Sequence, residues 1–224
     1  MYVTIFSERS AKSCAPRVLE APSKLPPVRL KAGRYLYHEG DEVQRIYRIG
    51  SGVVRLTRLL EDGRRQVISF GYPGDVVGFP AGGVHHTDCD VLVDTKLQPY
   101  RLTALRDGDG DPVLHQALLS SALNEISAMQ DHFMMLGRKS AAERVASFLF
   151  VITERFGEDR EGGRQITLPM CRSDIADFLG LTTETVSRSF TALRKSGVIA
   201  LDGIQTVIVL DPKALQALSD GYAS

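Results

Sequence analysis

Glu184 and Arg188 are two side chains of this 224-residue chain whose types and spacing indicate a particular chemistry. Residues four apart share one face of a helix. An arginine there can donate two hydrogen bonds to O6 and N7 of guanine, and a glutamate can accept one from N4 of cytosine. The pair therefore predicts the reading of base edges, and the alternative interpretation is a weak surface ion pair.

The sequence around the pair predicts a helix-turn-helix that would present it to a DNA groove. Residues 173–179 form a first short helix, Gly180 supplies the turn, and a second helix runs over about 183–196. The second helix would bury three apolar residues, Val186, Phe190 and Leu193. Its exposed N-terminal end is the part that enters the major groove in such motifs.

Eight residues of this motif are expected to face DNA, at base edges or at phosphates. They are Cys171, Arg172, Ser173, Thr182, Thr183, Glu184, Ser187 and Arg188. Cys171 stands where oxidation to a sulfenic or sulfinic acid would bring charge or bulk against the DNA backbone. It is therefore also a redox candidate, and the alternative is a helix-capping residue that senses nothing.

Other reactive side chains predict neither a metal site nor an enzyme. His85, His86 and the residues Asp88, Cys89 and Asp90 fall in an expected loop, without a Cys-x-x-Cys pair or a helical pair of histidines. The His38-Glu39 dipeptide lacks the spacing of a cupin-type metal site, and the sequence contains no G-x-S-x-G motif. We expect no catalytic residue, no metal and no cofactor.

The elements that must position the motif begin with a β-domain. From about residue 29 to 105, short β-prone runs alternate with glycines, which predicts an antiparallel sandwich or small barrel. The runs are 35–37, 46–49, 53–56, 66–70 and 91–93. A helix then begins at Asp111 and Pro112, which suit a cap and a first helical position, and we expect Gly137 to end it.

Six apolar residues along this helix recur three and four apart and predict a homodimer seam. They are Leu119, Ala122, Ile126, Met129, Phe133 and Leu136. The alternative is one amphipathic helix packed on its own domain. Against that alternative, three further apolar residues lie off the seam and could pack on the β-domain while the seam meets a partner, namely Leu114, Leu118 and Leu123.

The rest of the chain predicts a wing and completes an α+β fold. A helix at 140–156, a loop at 157–163, a β-hairpin wing at 198–210 and a helix at 213–218 accompany the motif. We therefore divide the chain into an arm at 1–28, a β-roll at 29–110, a dimerisation helix at 111–137 and a winged helix-turn-helix at 138–224.

Composition adds few constraints. The formal net charge is zero, so the prediction of DNA binding depends on the motif alone. The three cysteines are sparse and odd in number, which fits a reducing compartment. With no membrane-length apolar run and no signal-peptide pattern, we expect a cytoplasmic protein without a membrane partner.

The order of β-roll, long helix and winged helix-turn-helix resembles the CRP/FNR family of bacterial transcription regulators over about 29–218. The E-x-x-S-R arrangement of Glu184, Ser187 and Arg188 is similar to the FNR and FixK branch. The resemblance implies a cyclic-nucleotide-binding-like double-stranded β-helix, base reading by Glu184 and Arg188, and a TTGA-type palindrome. It also implies activation through RNA polymerase in an oxygen- or redox-responsive programme.

Two departures from the family pattern affect what the chain would sense. Cyclic-AMP-binding members carry a Gly-Glu turn and a downstream arginine, whereas this chain has Gly74-Asp75 and no arginine between Arg65 and Arg101. FNR holds an iron–sulfur cluster on four cysteines, and this chain has three. We therefore place it in the FixK-like branch, with neither group. The alternatives are a regulator gated by an unidentified ligand in the β-roll and an interaction protein whose helix-turn-helix only packs.

Overall fold

The computed structural model describes residues 25–221, apart from the side chain of Asp109. Most of the expected arm at 1–28 therefore lies outside the described residues. The described chain divides into two compact units, residues 25–129 and residues 130–221. The division falls inside the long helix.

Two four-stranded antiparallel sheets build the first unit. The strands are β1 Val28–Leu30, β2 Tyr35–Tyr37, β3 Arg45–Ser51, β4 Val54–Leu59, β5 Arg65–Gly71, β6 Val76–Val77, β7 Asp88–Val91 and β8 Thr95–Arg101. One sheet has the order β1-β8-β3-β6 and the other has the order β2-β7-β4-β5. The predicted antiparallel β-domain is confirmed.

The core of this unit lies between the two sheets. Alternate residues of each strand point inward, so both sheets contribute fully buried apolar side chains, such as Ile49, Val54 and Leu97. Ala128 of the long helix packs against the same cluster. A second cluster joins Leu114 of that helix to Ile46 and other strand residues.

Two local expectations in the β-domain are wrong. The run at 91–93 was expected to be a strand, but β7 ends at Val91 and the next two residues form a bend. Asp88 and Cys89 belong to β7, although a loop was expected there. β7 pairs with β2 and β4, which are distant in sequence, and such pairing leaves little local pattern.

The helices of the first unit are α1 Leu102–Arg106 and α2 Pro112–Arg138, the second of which continues into the second unit. As predicted, the Asp111 carboxylate caps α2 by accepting from the backbone N–H groups of Val113 and Leu114, at 3.0 and 3.1 Å. Gly137 does not end the helix, because one interior glycine costs only about 1 kcal/mol. Leu123, expected to be available to the β-domain, is 64% exposed.

The second unit wraps helices around a small sheet. Its elements are α3 Ala141–Phe156, β9 Glu158–Arg160, β10 Gly163–Thr167, α4 Arg172–Leu179, α5 Thr183–Lys195, β11 Ile199–Asp202, β12 Thr206–Val209 and α6 Pro212–Ser219. The sheet has the order β11-β12-β10-β9. The loop expected at 157–163 is in fact a hairpin, because β9 pairs as an exposed edge strand with β10. Among the described helices, none is long and apolar enough to cross a membrane.

Candidate nucleic-acid interface

The helix-turn-helix consists of α4, a short turn and α5. Gly180 ends α4 with φ of 62°, in the left-handed region that is inexpensive only for glycine. Thr182 then begins α5, since its side-chain oxygen accepts from the backbone N–H of Thr185 at 3.1 Å. The glycine turn matches the prediction, and together with the Thr182 cap it sets the direction of the second helix.

α5 is amphipathic, and its apolar face holds it on the rest of the unit. Val186, Phe190 and Leu193 are buried, as predicted. The opposite face exposes Thr183, Glu184, Ser187 and Arg188 near the N-terminal end. The side chains predicted to read bases are therefore brought together on one solvent-facing surface.

Glu184 and Arg188 form an ion pair on that surface. Nη2 of Arg188 donates to Oε1 of Glu184 at 2.6 Å, and the two side chains are 78% and 70% exposed. An exposed pair of this kind contributes little to folding stability. Its effect is on geometry, because each side chain restricts the rotamers of the other.

Hydroxyl groups line the same surface. The hydroxyl of Ser187 donates to the carbonyl oxygen of Thr183 at 2.8 Å, and that of Thr191 donates to the carbonyl oxygen of Ser187 at 2.9 Å. Each hydroxyl oxygen keeps free lone pairs, and its proton can be redirected by rotation. Arg194 and Lys195 are exposed at the far end of α5, where cations are favoured by the helix dipole.

Arg172, at the start of α4, was expected only to face DNA, but it also packs on another helix. The guanidinium of Arg172 lies 3.5 Å from the centroid of the Phe190 ring, and burial lowers its pKa from the ordinary value. Arg172 therefore packs against α5 as well as bearing charge near the expected phosphates. Its neighbour Ser173 lies close to the thiol of Cys171, with 2.9 Å between Oγ and Sγ.

Asp174 caps the N-terminal end of α4, a role that the sequence motif alone did not indicate. Its buried carboxylate accepts from the backbone N–H of Cys171 at 3.1 Å and from the thiol at 3.0 Å. Cys171 itself is exposed. An acidic residue three positions after the N-cap residue, here Cys171, is the sequence signal that could have indicated this cap.

The predicted seam of α2 exposes apolar side chains in the single chain. Ile126, Met129 and Phe133 are 52%, 53% and 75% exposed, and Leu119 is 42% exposed. Ala122 and Leu136 are partly buried. The opposite face carries the buried Leu114, Leu118 and Ala128, so the helix is apolar on two sides.

The histidines of the β-domain are engaged with protein groups. His85 stacks on Tyr37 with ring centroids 3.6 Å apart, and burial lowers the pKa of His85. A ring nitrogen of His86 lies 3.1 Å from the carbonyl oxygen of Ala81, and one of His38 lies 3.3 Å from the Asp88 carboxylate. Within residues 25–221, no group of three or more potential ligands is arranged to hold a metal ion.

Comparison with known proteins identifies the architecture. The cyclic nucleotide-binding domain family matches residues 27–104, and the Crp-like helix-turn-helix domain family matches residues 143–218. The nitrogen fixation regulation protein FixK of Rhizobium meliloti (strain 1021) is 42% identical over 188 residues, 84% of each chain. The chain belongs to the CRP/FNR family of transcription regulators.

Two further relatives place it within the CRP/FNR family. FixK of Bradyrhizobium diazoefficiens is 39% identical, over 86% of this chain and 81% of that protein. The solved structure of FixK2 from Bradyrhizobium japonicum matches with a TM-score of 0.78 at 33% identity, over 86% of this chain and 96% of that one. The chain is thus a FixK-like CRP/FNR regulator with a DNA-binding helix-turn-helix, and not an enzyme.

The part of the CRP/FNR β-roll expected to hold a cyclic nucleotide is occupied by internal contacts. The carboxylate of Asp75 is fully buried and accepts from the backbone N–H of Tyr72 at 2.9 Å. Gly78 leaves room for the stack of His85 on Tyr37, since a Cβ there would lie 3.3 Å from the imidazole. Between residues 65 and 101 the segment contains no arginine whose charge could offset that of a cyclic phosphate.

Proposed function

We propose that this chain activates transcription as a cytoplasmic homodimer that reads a TTGA-type palindrome and engages RNA polymerase. The observation that carries the proposal is the exposed ion pair of Glu184 and Arg188 at the N-terminal end of α5. Arg188 donates to guanine and Glu184 accepts from cytosine. Arg172, Ser173, Thr182, Thr183 and Ser187 contact phosphates or neighbouring base edges.

The ion pair allows base reading without being broken. A carboxylate has about four lone-pair sites and a guanidinium has five N–H donors, so each group can serve its partner and a base together. Because the pair is already formed at 2.6 Å, less rotamer freedom is lost on binding. Rigid donors and acceptors discriminate between bases better than mobile ones do.

A homodimer supplies the symmetry that a palindrome requires. Two copies related by a twofold axis present two α5 helices to two half-sites. The apolar seam of α2, with Phe133 75% exposed, is the surface we assign to the second copy. Burial of a large apolar side chain contributes about 1.5–3 kcal/mol, which favours association of seams over their hydration.

DNA binding without a small ligand is part of the proposal. The internal contacts of Asp75 and His85 and the lack of an arginine in this segment argue against cyclic AMP. Three cysteines are too few for a cluster held by four thiolates in one subunit. Gating by another ligand in the β-roll is the alternative, and it predicts weak DNA binding until that ligand is supplied.

We further propose that oxidation of Cys171 weakens DNA binding. Hydrogen peroxide would form an S–O bond at Sγ while its O–O bond breaks, which yields a sulfenic acid and water. A second peroxide gives the sulfinic acid, which is negatively charged. The exposed position of Cys171 at the N-terminus of α4 supports the proposal, because new charge there would face phosphates.

A titration of purified, reduced protein tests the proposed function. A duplex carrying TTGAT-N4-ATCAA is compared with a scrambled duplex at one stated salt concentration and without added ligand. We expect selective binding by the wild type. In Arg188→Ala, affinity for the palindrome should fall roughly 10- to 100-fold while binding to the scrambled duplex changes little.

The matched control is Arg160→Ala, which removes an exposed arginine of β9 that is also ion-paired to a glutamate, Glu158, at 2.6 Å. This variant should keep its selectivity. Equal binding of wild type to both duplexes would contradict the proposal.

A further inference from the structure

Arg144 joins the ends of two helices in the second unit. From its place in the first turn of α3, its Nη2 donates to the carbonyl oxygen of Leu136 at 2.7 Å and its Nε to that of Lys139 at 2.9 Å. Its Nη1 donates to the carbonyl oxygen of Leu179 at 3.1 Å. Leu136 lies in the last turn of α2, Lys139 directly follows it, and Leu179 is the last residue of α4.

These acceptors are carbonyl groups that helix geometry leaves without intrahelical partners. The last four carbonyls of a helix lack such partners, and the C-terminal end carries partial negative charge. A cation placed there is stabilised by both effects. The planar guanidinium can donate in several fixed directions at once, which a lysine ammonium on a flexible stem cannot reproduce.

The helix-turn-helix turn lies against the same place. A Cβ built on Gly180 would be 3.6 Å from Cδ2 of Leu136 and 3.7 Å from Nη1 of Arg144. A second contact joins the same two helices, because the ring of His132 on α2 stacks on Phe178 of α4 with centroids 4.3 Å apart. The turn that aims α5 is therefore in contact with the end of the long helix.

We propose that Arg144 is a positioning residue that fixes the direction of α5 relative to the end of α2. This inference rests on the proposed function, in which α2 forms the dimer seam. When two copies are joined through this seam, the direction of each α5 sets the distance and the rotation between the two half-sites that the dimer can bind. Arg144 therefore controls which spacing of half-sites is bound, although it contacts no base.

Lys139, in the short link between α2 and α3, provides a matched control. Its ammonium donates to the hydroxyl of Ser147 at 2.7 Å and to the carbonyl oxygen of Ser219 at 2.6 Å. It thus ties α3 to the end of α6, and neither of these acceptors belongs to α4 or α5. Lys139→Met removes a partly buried cation of the second unit without releasing the turn.

The experiment measures the affinity of reduced full-length protein for four duplexes. These are TTGAT-N4-ATCAA, the same palindrome with six base pairs in the spacer, a single half-site, and a scrambled sequence. Two added base pairs rotate one half-site by about 70° relative to the other. The variants are Arg144→Met, Arg144→Lys and Lys139→Met, and thermal unfolding of each reports how much protein is folded.

For Arg144→Met and Arg144→Lys we expect the affinity for the four-base-pair spacer to fall about tenfold, because α5 is no longer held in the direction that suits this spacing. The preference over the six-base-pair spacer should shrink, and the affinity for the single half-site should be unchanged. Lys139→Met should lower thermal stability. Its preference for the four-base-pair spacer, over the six-base-pair spacer and over the single half-site, should remain as in the wild type.

The inference would be overturned if the Arg144 variants bound both palindromes and the half-site with affinities changed by the same factor, or with unchanged affinities. Arg144 would then only stabilise the fold. If wild-type protein fails to prefer the palindrome over the scrambled duplex, the proposed function is wrong and the inference falls with it. The wild-type and variant measurements therefore distinguish the two failures.

Discussion

The thiol of Cys171 has a local environment that distinguishes it from the other cysteine in the described part of the chain. Cys171 is exposed and lies 3.0 Å from the buried carboxylate of Asp174, which caps α4. Cys89 is wholly enclosed in the β-domain, and burial raises the pKa of its thiol well above the usual range. Oxidants act on accessible thiols through their thiolate form, so the two residues are expected to respond differently.

Peroxide treatment of the wild type is therefore expected to lower affinity for the palindrome about tenfold, as loss of one charge-assisted contact would. Cys171→Ser should keep its affinity after the same treatment, whereas the control Cys89→Ala should lose affinity as the wild type does. Titration before and after peroxide, with mass measurement of the oxidised residue, checks this. Equal losses in wild type and Cys171→Ser would show that oxidation acts elsewhere.

The sequence predicted the exposed positions of Glu184 and Arg188 on α5 better than it predicted the residues that support this helix. Glu184 and Arg188 could be placed because helix periodicity is local and four residues make one turn. The packing of Arg172 on Phe190 and the three carbonyl contacts of Arg144 depend on helices that meet only in the folded chain. No spacing rule along the sequence indicates such contacts.

The long helix has two apolar faces with different partners. Its buried face packs Leu114 and Leu118 against strand residues of the first unit. The seam on the other side leaves Phe133 75% exposed, which is costly unless another surface covers it. We propose that the same seam of a second copy of the chain packs against it.

Phe133→Asp is expected to turn the proposed dimer into a monomer, because it places a charge in the apolar seam that we assign to the interface. Met134→Asp is the matched control, since Met134 is also exposed, at 49%, but lies outside the seam. Light scattering after size exclusion measures the mass of each variant. Binding to the palindrome should fall in Phe133→Asp while half-site binding persists. A dimeric Phe133→Asp would show that this seam does not hold the two copies together.

Elements with strong local signals were predicted, and those defined by distant pairing were not. α2, α5 and the wing followed from capping residues, periodicity and glycine turns. β9 was expected to be a loop because Glu158–Arg160 is wholly exposed and has no alternation, and it becomes a strand only through its pairing with β10. The end of α2 was misplaced by one residue, since the cost of Gly137 within the helix is small beside the interactions of its last turn.

At the scale of the whole molecule, a net charge of zero gives no general attraction to DNA. In the proposed dimer, selectivity therefore comes from the local surface of α5 and from the presence of two such surfaces. The stability of the second unit therefore matters for binding, because that unit holds α5 in place. We expect this stability to depend on pH through His132, a residue of α2 that stacks on Phe178 of α4.

The pKa of His132 is lowered from 6.5 to about 4, mainly by burial, while a hydrogen bond to the backbone of Phe178 opposes the shift and the charge of Arg144 adds to it. The unfolded chain binds a proton at this histidine more readily than the folded chain does. The folded state is therefore stabilised by the neutral form of His132 above pH 6.5, and this contribution to the free energy of unfolding is lost as the pH falls toward 4. Between about pH 7.5 and pH 5, the free energy of unfolding should fall by about 2 kcal/mol on account of this residue.

His132→Phe keeps an aromatic ring to stack on Phe178 and removes the titration. Urea unfolding of wild type and variant at both pH values measures the difference. The variant should lose less stability on acidification, with some loss remaining because burial also lowers the pKa of His85. His85→Phe, altered in the other unit, is the control for a histidine that does not contact α4. An identical loss in wild type and His132→Phe would mean that the contact between α2 and α4 does not make stability depend on pH.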